Sequence, residues 1–171
     1  MQNNELYNHI SSFIVLGEKN ERFINALSHE YGWSRYYAQK AYQEYLRFMY
    51  LLAIHDTPLA PSLQIERVWK FHLGYSDSYW HKLCEIIIKK PIHRNFSSTL
   101  NRGVEKDFFV DTHLLYREEF EQNPPIIVWG TPHNKYLNRF INNMLFLWSR
   151  RVCIVLTSLM VGAIFNYIKM G

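Results

Sequence analysis

Apolar positions along this chain recur at steps of three and four, the spacing that gathers side chains on one face of an α-helix. The clearest case is Tyr42, Leu46, Met49 and Ala53, widened by Tyr45, Phe48, Leu51 and Leu52 until the segment is apolar most of the way round. Such a helix belongs at the centre of a core. The same period predicts helices over Asn4 to Val15, Asn20 to Tyr31, Ser34 to His55, Ser62 to Leu73, Ser76 to Lys89 and Lys106 to Gln122, and a long last helix from about Asn134 onward. Gly32, the stretch Asp56 to Pro61, Pro91 and the pair Pro124-Pro125 interrupt the pattern, and Ser34 and Ser62 stand where N-caps are expected. No pair of alternating segments suggests strands. The expected fold is therefore all-α: a helical bundle over residues 1–133 and a long C-terminal helix over 134–171.

One stretch breaks the amphipathic rule. Residues 152–168 carry no charge and lie between Arg150-Arg151 and Lys169. A bilayer core takes a helix of about 17 to 25 residues, so this run fits a transmembrane segment at about 150–168, at the short end of the range. Leu145 to Trp148 would lengthen it if Arg150 and Arg151 snorkel. The competing reading is a buried C-terminal helix of a soluble protein. Lys135, Arg139, Arg150 and Arg151 precede the run and Lys169 follows it, a bias that leaves the N-terminal domain in the cytoplasm on a single-pass anchor. Within the run Ser158, Gly162 and Asn166 recur every fourth residue, with Arg151 and Lys169 close to the same face. Small residues at that spacing let helices approach closely, and an Asn in lipid requires a partner. The stripe is expected to bring copies of the chain together as a cyclic homo-oligomer, either as a helix interface or as the lining of a pore; an isolated anchor is the remaining reading.

Composition sharpens this picture in few places. With 171 residues, 48% hydrophobic and 16% aromatic, the chain has room for one packed domain and an anchor, and it is not a disordered polypeptide. The apolar stretch Ile10 to Gly17 is short and lacks a basic leader, so it reads as a helix, not a signal peptide. The net charge of +4 is mild and spread along the chain, which suits an anionic lipid surface as well as RNA. Cys84 and Cys153 match no metal-ligand spacing and are expected to be reduced thiols.

Among titratable residues one spacing stands out: Arg67 followed by His72 five residues on. The imidazole could move a proton to or from a ribose 2′-hydroxyl while the guanidinium stabilises charge on phosphate, a metal-independent cleavage of RNA. Ten arginines and eight histidines make one such pair by chance about 0.5 times per chain of this composition. Residues five apart on a regular helix are splayed by about 140°, so catalysis would need a bent segment or a second protomer. Trp69, His72 and Leu73 also share a face with Ile65, which makes a hydrogen-bonded core histidine and a surface arginine the plainer reading. His81, His93 and His113 form no tight ligand set with His72, so no metal is expected. No phosphate-binding glycine loop or paired nucleophile is present, and no cofactor is implied.

Two resemblances bear on these residues. From Arg22 to Trp129 the chain resembles the bacterial relatives of glycine-rich domain-containing proteins, an uncharacterised helical family. The match runs through Phe23 and Leu27, His29-Glu30-Tyr31-Gly32-Trp33-Ser34, Glu44-Tyr45-Leu46-Arg47-Phe48, Pro61-Ser62, Trp69, His72, Tyr79, Cys84, His93, Tyr116, Phe120 and Pro124-Pro125 with Trp129. Lys70 and Arg94 stand where that family usually has histidines, so its histidine set is incomplete here. The overall layout, a divergent HEPN-type Arg67 and His72 pair with one transmembrane helix and no other catalytic motif, is similar to the small membrane accessory proteins of type VI-B CRISPR systems. That resemblance implies a homo-oligomeric protein of the bacterial inner membrane, pore-forming in character, functionally linked to an RNA-guided RNase effector in antiviral defence. The alternatives are a membrane-tethered HEPN RNase acting on RNA and a scaffold or binding module.

Overall fold

A computed structural model describes residues 3–16, 20–93 and 102–131, with side chains from Phe108 onward in the last stretch. All of these belong to the first of two compact units, residues 1–135. Among the described residues seven helices follow one another: α1 Asn4–Ser11, α2 Glu21–Tyr31, α3 Arg35–Ile54, α4 Leu63–Leu73, α5 Asp77–Ile88, α6 Arg102–Phe120 and the single turn α7 Ile126–Trp129. There is no strand among the described residues, and the unit is an all-α bundle.

The helix that is apolar most of the way round is the central one. α1, α2, α4 and α7 all pack against α3, and Tyr45, Phe48, Met49, Tyr50 and Leu51 have no solvent exposure at all. Both expected serine caps form: the Ser34 hydroxyl accepts from the Tyr37 N–H at 3.1 Å and the Ser62 hydroxyl from the Ile65 N–H at 3.2 Å. Gly32, left-handed at φ 63°, ends α2.

Besides α6, which begins at Arg102 rather than Lys106, three elements differ from the sequence pattern. α1 stops at Ser11 rather than Val15, because Ser12 turns its hydroxyl back onto the Asn8 carbonyl at 2.7 Å. Asn20, left-handed at φ 59°, then gathers the chain that follows: its side chain accepts from the Val15 N–H at 2.6 Å and donates to the Phe13 carbonyl at 2.7 Å. Phe13 and Val15 are thereby turned into the core. The second difference is α5, which is wound as a π-helix along its length. Its buried residues explain the winding. Ser78, Leu83 and Ile88 recur at five, as do Tyr79 and Cys84, and i→i+5 bonding returns residues five apart to nearly the same side. The third is α7, an unexpected turn in which Val128 and Trp129 are buried and Ile126 and Ile127 are not.

Among the described residues no helix is long and apolar enough to cross a membrane. The uncharged run 152–168, with Arg151, Ser158, Gly162, Asn166 and Lys169, lies outside them.

Candidate functional site

α4 places Ile65, Val68, Trp69 and His72 on its inward face. His72 has no solvent-exposed surface. Its Nδ1 lies 2.8 Å from the Tyr45 hydroxyl on α3 and its Nε2 3.1 Å from the Ser78 hydroxyl on α5. A neutral imidazole offers one donor and one acceptor, and a hydroxyl can be either, so both nitrogens are satisfied in either tautomer. Phe13, Phe23, Tyr45 and Tyr79 surround the ring, with centroids 5.3 to 5.8 Å away. Burial pushes the His72 pKa down from 6.5 to about 3 and the Tyr45 phenol far above its ordinary value. Beside it the Trp69 indole N–H donates to the Tyr79 hydroxyl at 2.8 Å, which donates to the Ile92 carbonyl at 2.7 Å. Cys84, next to this pair, is a buried free thiol.

Arg67 lies elsewhere on α4. Its guanidinium sits 5.6 Å from the centroid of the Tyr31 ring and donates to the Gln64 side chain at 3.2 Å, while the Tyr31 hydroxyl donates to the Arg67 carbonyl at 3.2 Å. The side chain is half-buried and reaches towards Tyr37: burial raises that phenol to about 12, and Arg67 pulls it in the opposite direction. Arg67 and His72 thus share no hydrogen-bond partner, as the splay of residues five apart on a regular helix requires. A general base must reach its proton and titrate near the working pH. In this packing His72 is closed off from any ribose and stays neutral down to strong acid, while Arg67 presents a charge at the surface.

A second polar centre was not singled out in the sequence as a site. Glu44 is 4% exposed, and three groups converge on its carboxylate: Arg47 Nη1 at 2.9 Å, the Tyr116 hydroxyl at 2.9 Å and the Trp129 indole N–H at 2.8 Å. Arg47 also donates to the Tyr116 hydroxyl at 2.6 Å. Every acceptor is occupied, which makes this a clamp between α3, α6 and α7 rather than a reactive site. The only local hint was the Glu44 and Arg47 pair at i and i+3.

Surface clefts among the described residues include two that are open. One of 380 Å³ is framed by Asn20, Glu21, Arg35 and Gln39, and one of 810 Å³ lies between α1 and α5, against Leu6, Ile14 and Ile86. Neither is lined by Arg67 or His72. Among the described residues no three His, Cys, Asp or Glu side chains are grouped to hold a metal ion: His81 pairs with Glu85 at 2.7 Å, His93 stacks on Trp80 with centroids 5.3 Å apart, and His113 meets the Phe109 carbonyl at 2.9 Å. The chain matches no protein-family model, no curated protein and no solved structure.

Proposed function

We propose that this chain is a single-pass protein of the bacterial inner membrane, with its helical domain on the cytoplasmic side, that assembles into a cyclic homo-oligomer and perturbs the membrane as a pore. Its setting is antiviral defence, as an accessory to an RNA-guided RNase effector of the type VI-B kind. One observation carries this reading: the uncharged run 152–168, in which Ser158, Gly162 and Asn166 form a small and polar stripe between Arg151 and Lys169. The helical domain supports it indirectly. A sealed, neutral His72 leaves the divergent HEPN-like pair without a ready base, so on this reading Arg67 and His72 belong to the scaffold and the work falls to the apolar run.

The test is expression beside the effector, activated by a target RNA, with a potential-sensitive dye in the cells. Depolarisation is expected with the intact chain, and its loss with Asn166→Leu or with truncation after Arg151. Protection that survives the truncation would sink the proposal. RNA cleavage by the purified protein without metal, abolished in a folded His72→Ala variant, would replace it with the RNase reading.

A further inference from the structure

The shoulder formed by α7 exposes the wrong residues for a solvated surface. Ile126 and Ile127 are 69% and 63% exposed, side by side at the tip of a single helical turn. The turn is held rigidly from below. Pro124 is buried before it, Trp129 is tied to Glu44, and the Tyr37 hydroxyl donates to the Ile127 carbonyl at 3.0 Å. Alongside runs a ladder of amphipathic rings, with Tyr37 to Trp33 at 5.1 Å and Trp33 to Tyr31 at 4.9 Å between centroids. Arg67 caps the ladder over Tyr31, and Lys40, one turn of α3 beyond Tyr37, lies over the exposed Tyr36 ring at 5.9 Å from its centroid. Glu44, the acid on the adjoining face of α3, is turned inward and paired with Arg47.

We propose that this shoulder is a contact site for an anionic phospholipid surface, separate from the apolar run. Ile126 and Ile127 enter the headgroup layer as aliphatic wedges, the Tyr37 and Trp33 rings lie at its level, and Arg67 with Lys40 meets lipid phosphate. Two protruding aliphatic side chains on a prefixed turn favour a bilayer over RNA, which would stack bases on the aromatic rings and has no use for the isoleucines. The sequence after α7 is basic as well, with Lys135, Arg139, Arg150 and Arg151 ahead of the uncharged run. The inference deepens the membrane reading above and rests on it only for the second attachment point.

The experiment uses the full chain with Cys84→Ala and Cys153→Ala, carrying Ile127→Cys labelled with a nitrobenzoxadiazole fluorophore, and Glu118→Cys labelled likewise as the solvent-exposed control. Vesicles contain phosphatidylglycerol or phosphatidylcholine alone. The expected result is blue-shifted emission from position 127, quenched by brominated lipid, in phosphatidylglycerol vesicles and reduced in phosphatidylcholine, with position 118 unchanged in both. Extraction with alkaline carbonate then separates the two claims, because an inserted helix resists it and a peripheral contact does not. Carbonate-resistant protein with position 127 in water overturns the shoulder and spares the anchor. Carbonate-extracted protein with position 127 shielded in anionic vesicles upholds the shoulder and removes the anchor. Shielding produced by single-stranded RNA without vesicles, or by raising protein concentration alone, overturns the lipid contact in favour of RNA or of a second copy.

Discussion

His72 shows what a histidine does when its surroundings outweigh its chemistry. Its two hydroxyl partners and the rings around it hold it neutral, so its contribution to stability depends on pH in a definite direction. The folded pKa, about 3, lies below the unfolded value near 6.5. Between these values the unfolded chain binds the extra proton, and stability is lost as pH falls through that window, by up to ~1.4 kcal/mol per pH unit from this one group. Burial lowers the His113 pKa too, which adds a loss of the same sign. Urea midpoints measured from pH 7 to pH 4 should fall along this slope, and His72→Leu should flatten it. The same variant strands the Tyr45 and Ser78 hydroxyls and is expected to cost about 2 to 4 kcal/mol at neutral pH. Arg67→Ala removes one cation–π contact and one part-buried hydrogen bond to Gln64, a loss of about 1 kcal/mol in the same titration. Equal and large losses from both would mean that the two residues act as a pair after all.

At the level of elements, most of the helices were legible because period, caps and breakers agree with one another. Ser34, Ser62 and Gly32 do in the fold what their positions in the sequence announce. The exceptions have physical causes that periodicity cannot express. Asn20 is a polar residue in a polar stretch until its amide meets two backbone groups and the Tyr42 hydroxyl, the latter at 3.2 Å. Asn20→Ala should therefore cost about 2 to 3 kcal/mol by thermal or urea melts, and Asn20→Gly, which tolerates φ 59°, somewhat less. α5 is a subtler case. Its apolar residues fit both a regular helix, which would set Tyr79, Leu83 and Ile86 on one face at steps of four and three, and the wider winding that it adopts. The two make opposite predictions for Ile86, which is 55% exposed here. Leu83→Ala should cost about 2 to 5 kcal/mol and Ile86→Ala less than about 0.5 kcal/mol. A large penalty for Ile86→Ala would show that the segment winds as a regular helix.

Across the whole helical unit, closure depends on groups far apart in the chain. Glu44 takes two of its three hydrogen bonds from partners 72 and 85 residues away, a convergence that no local spacing can reveal. α7 was missed in the sequence for the same reason, since its one turn exists because Trp129 has a carboxylate to reach. Glu44→Gln leaves Arg47 and the two aromatic donors facing a neutral amide, and a destabilisation of about 3 kcal/mol is expected. A double-mutant cycle with Trp129→Phe should return a coupling of about 1 kcal/mol or more, whereas additivity would separate the two residues energetically. The Arg67 and His72 spacing was plain in the sequence, but whether a histidine is sealed depends on Phe13 after α1 and on α2, α3 and α5 together.

The same clamp imposes an order of events on synthesis. Among the described residues Trp129 is the last buried one, and the uncharged run is made only afterwards, beginning at residue 152. Chains fold from the N-terminus as they emerge, so every described helix of the unit is available to close around Glu44 before the uncharged run has left the ribosome.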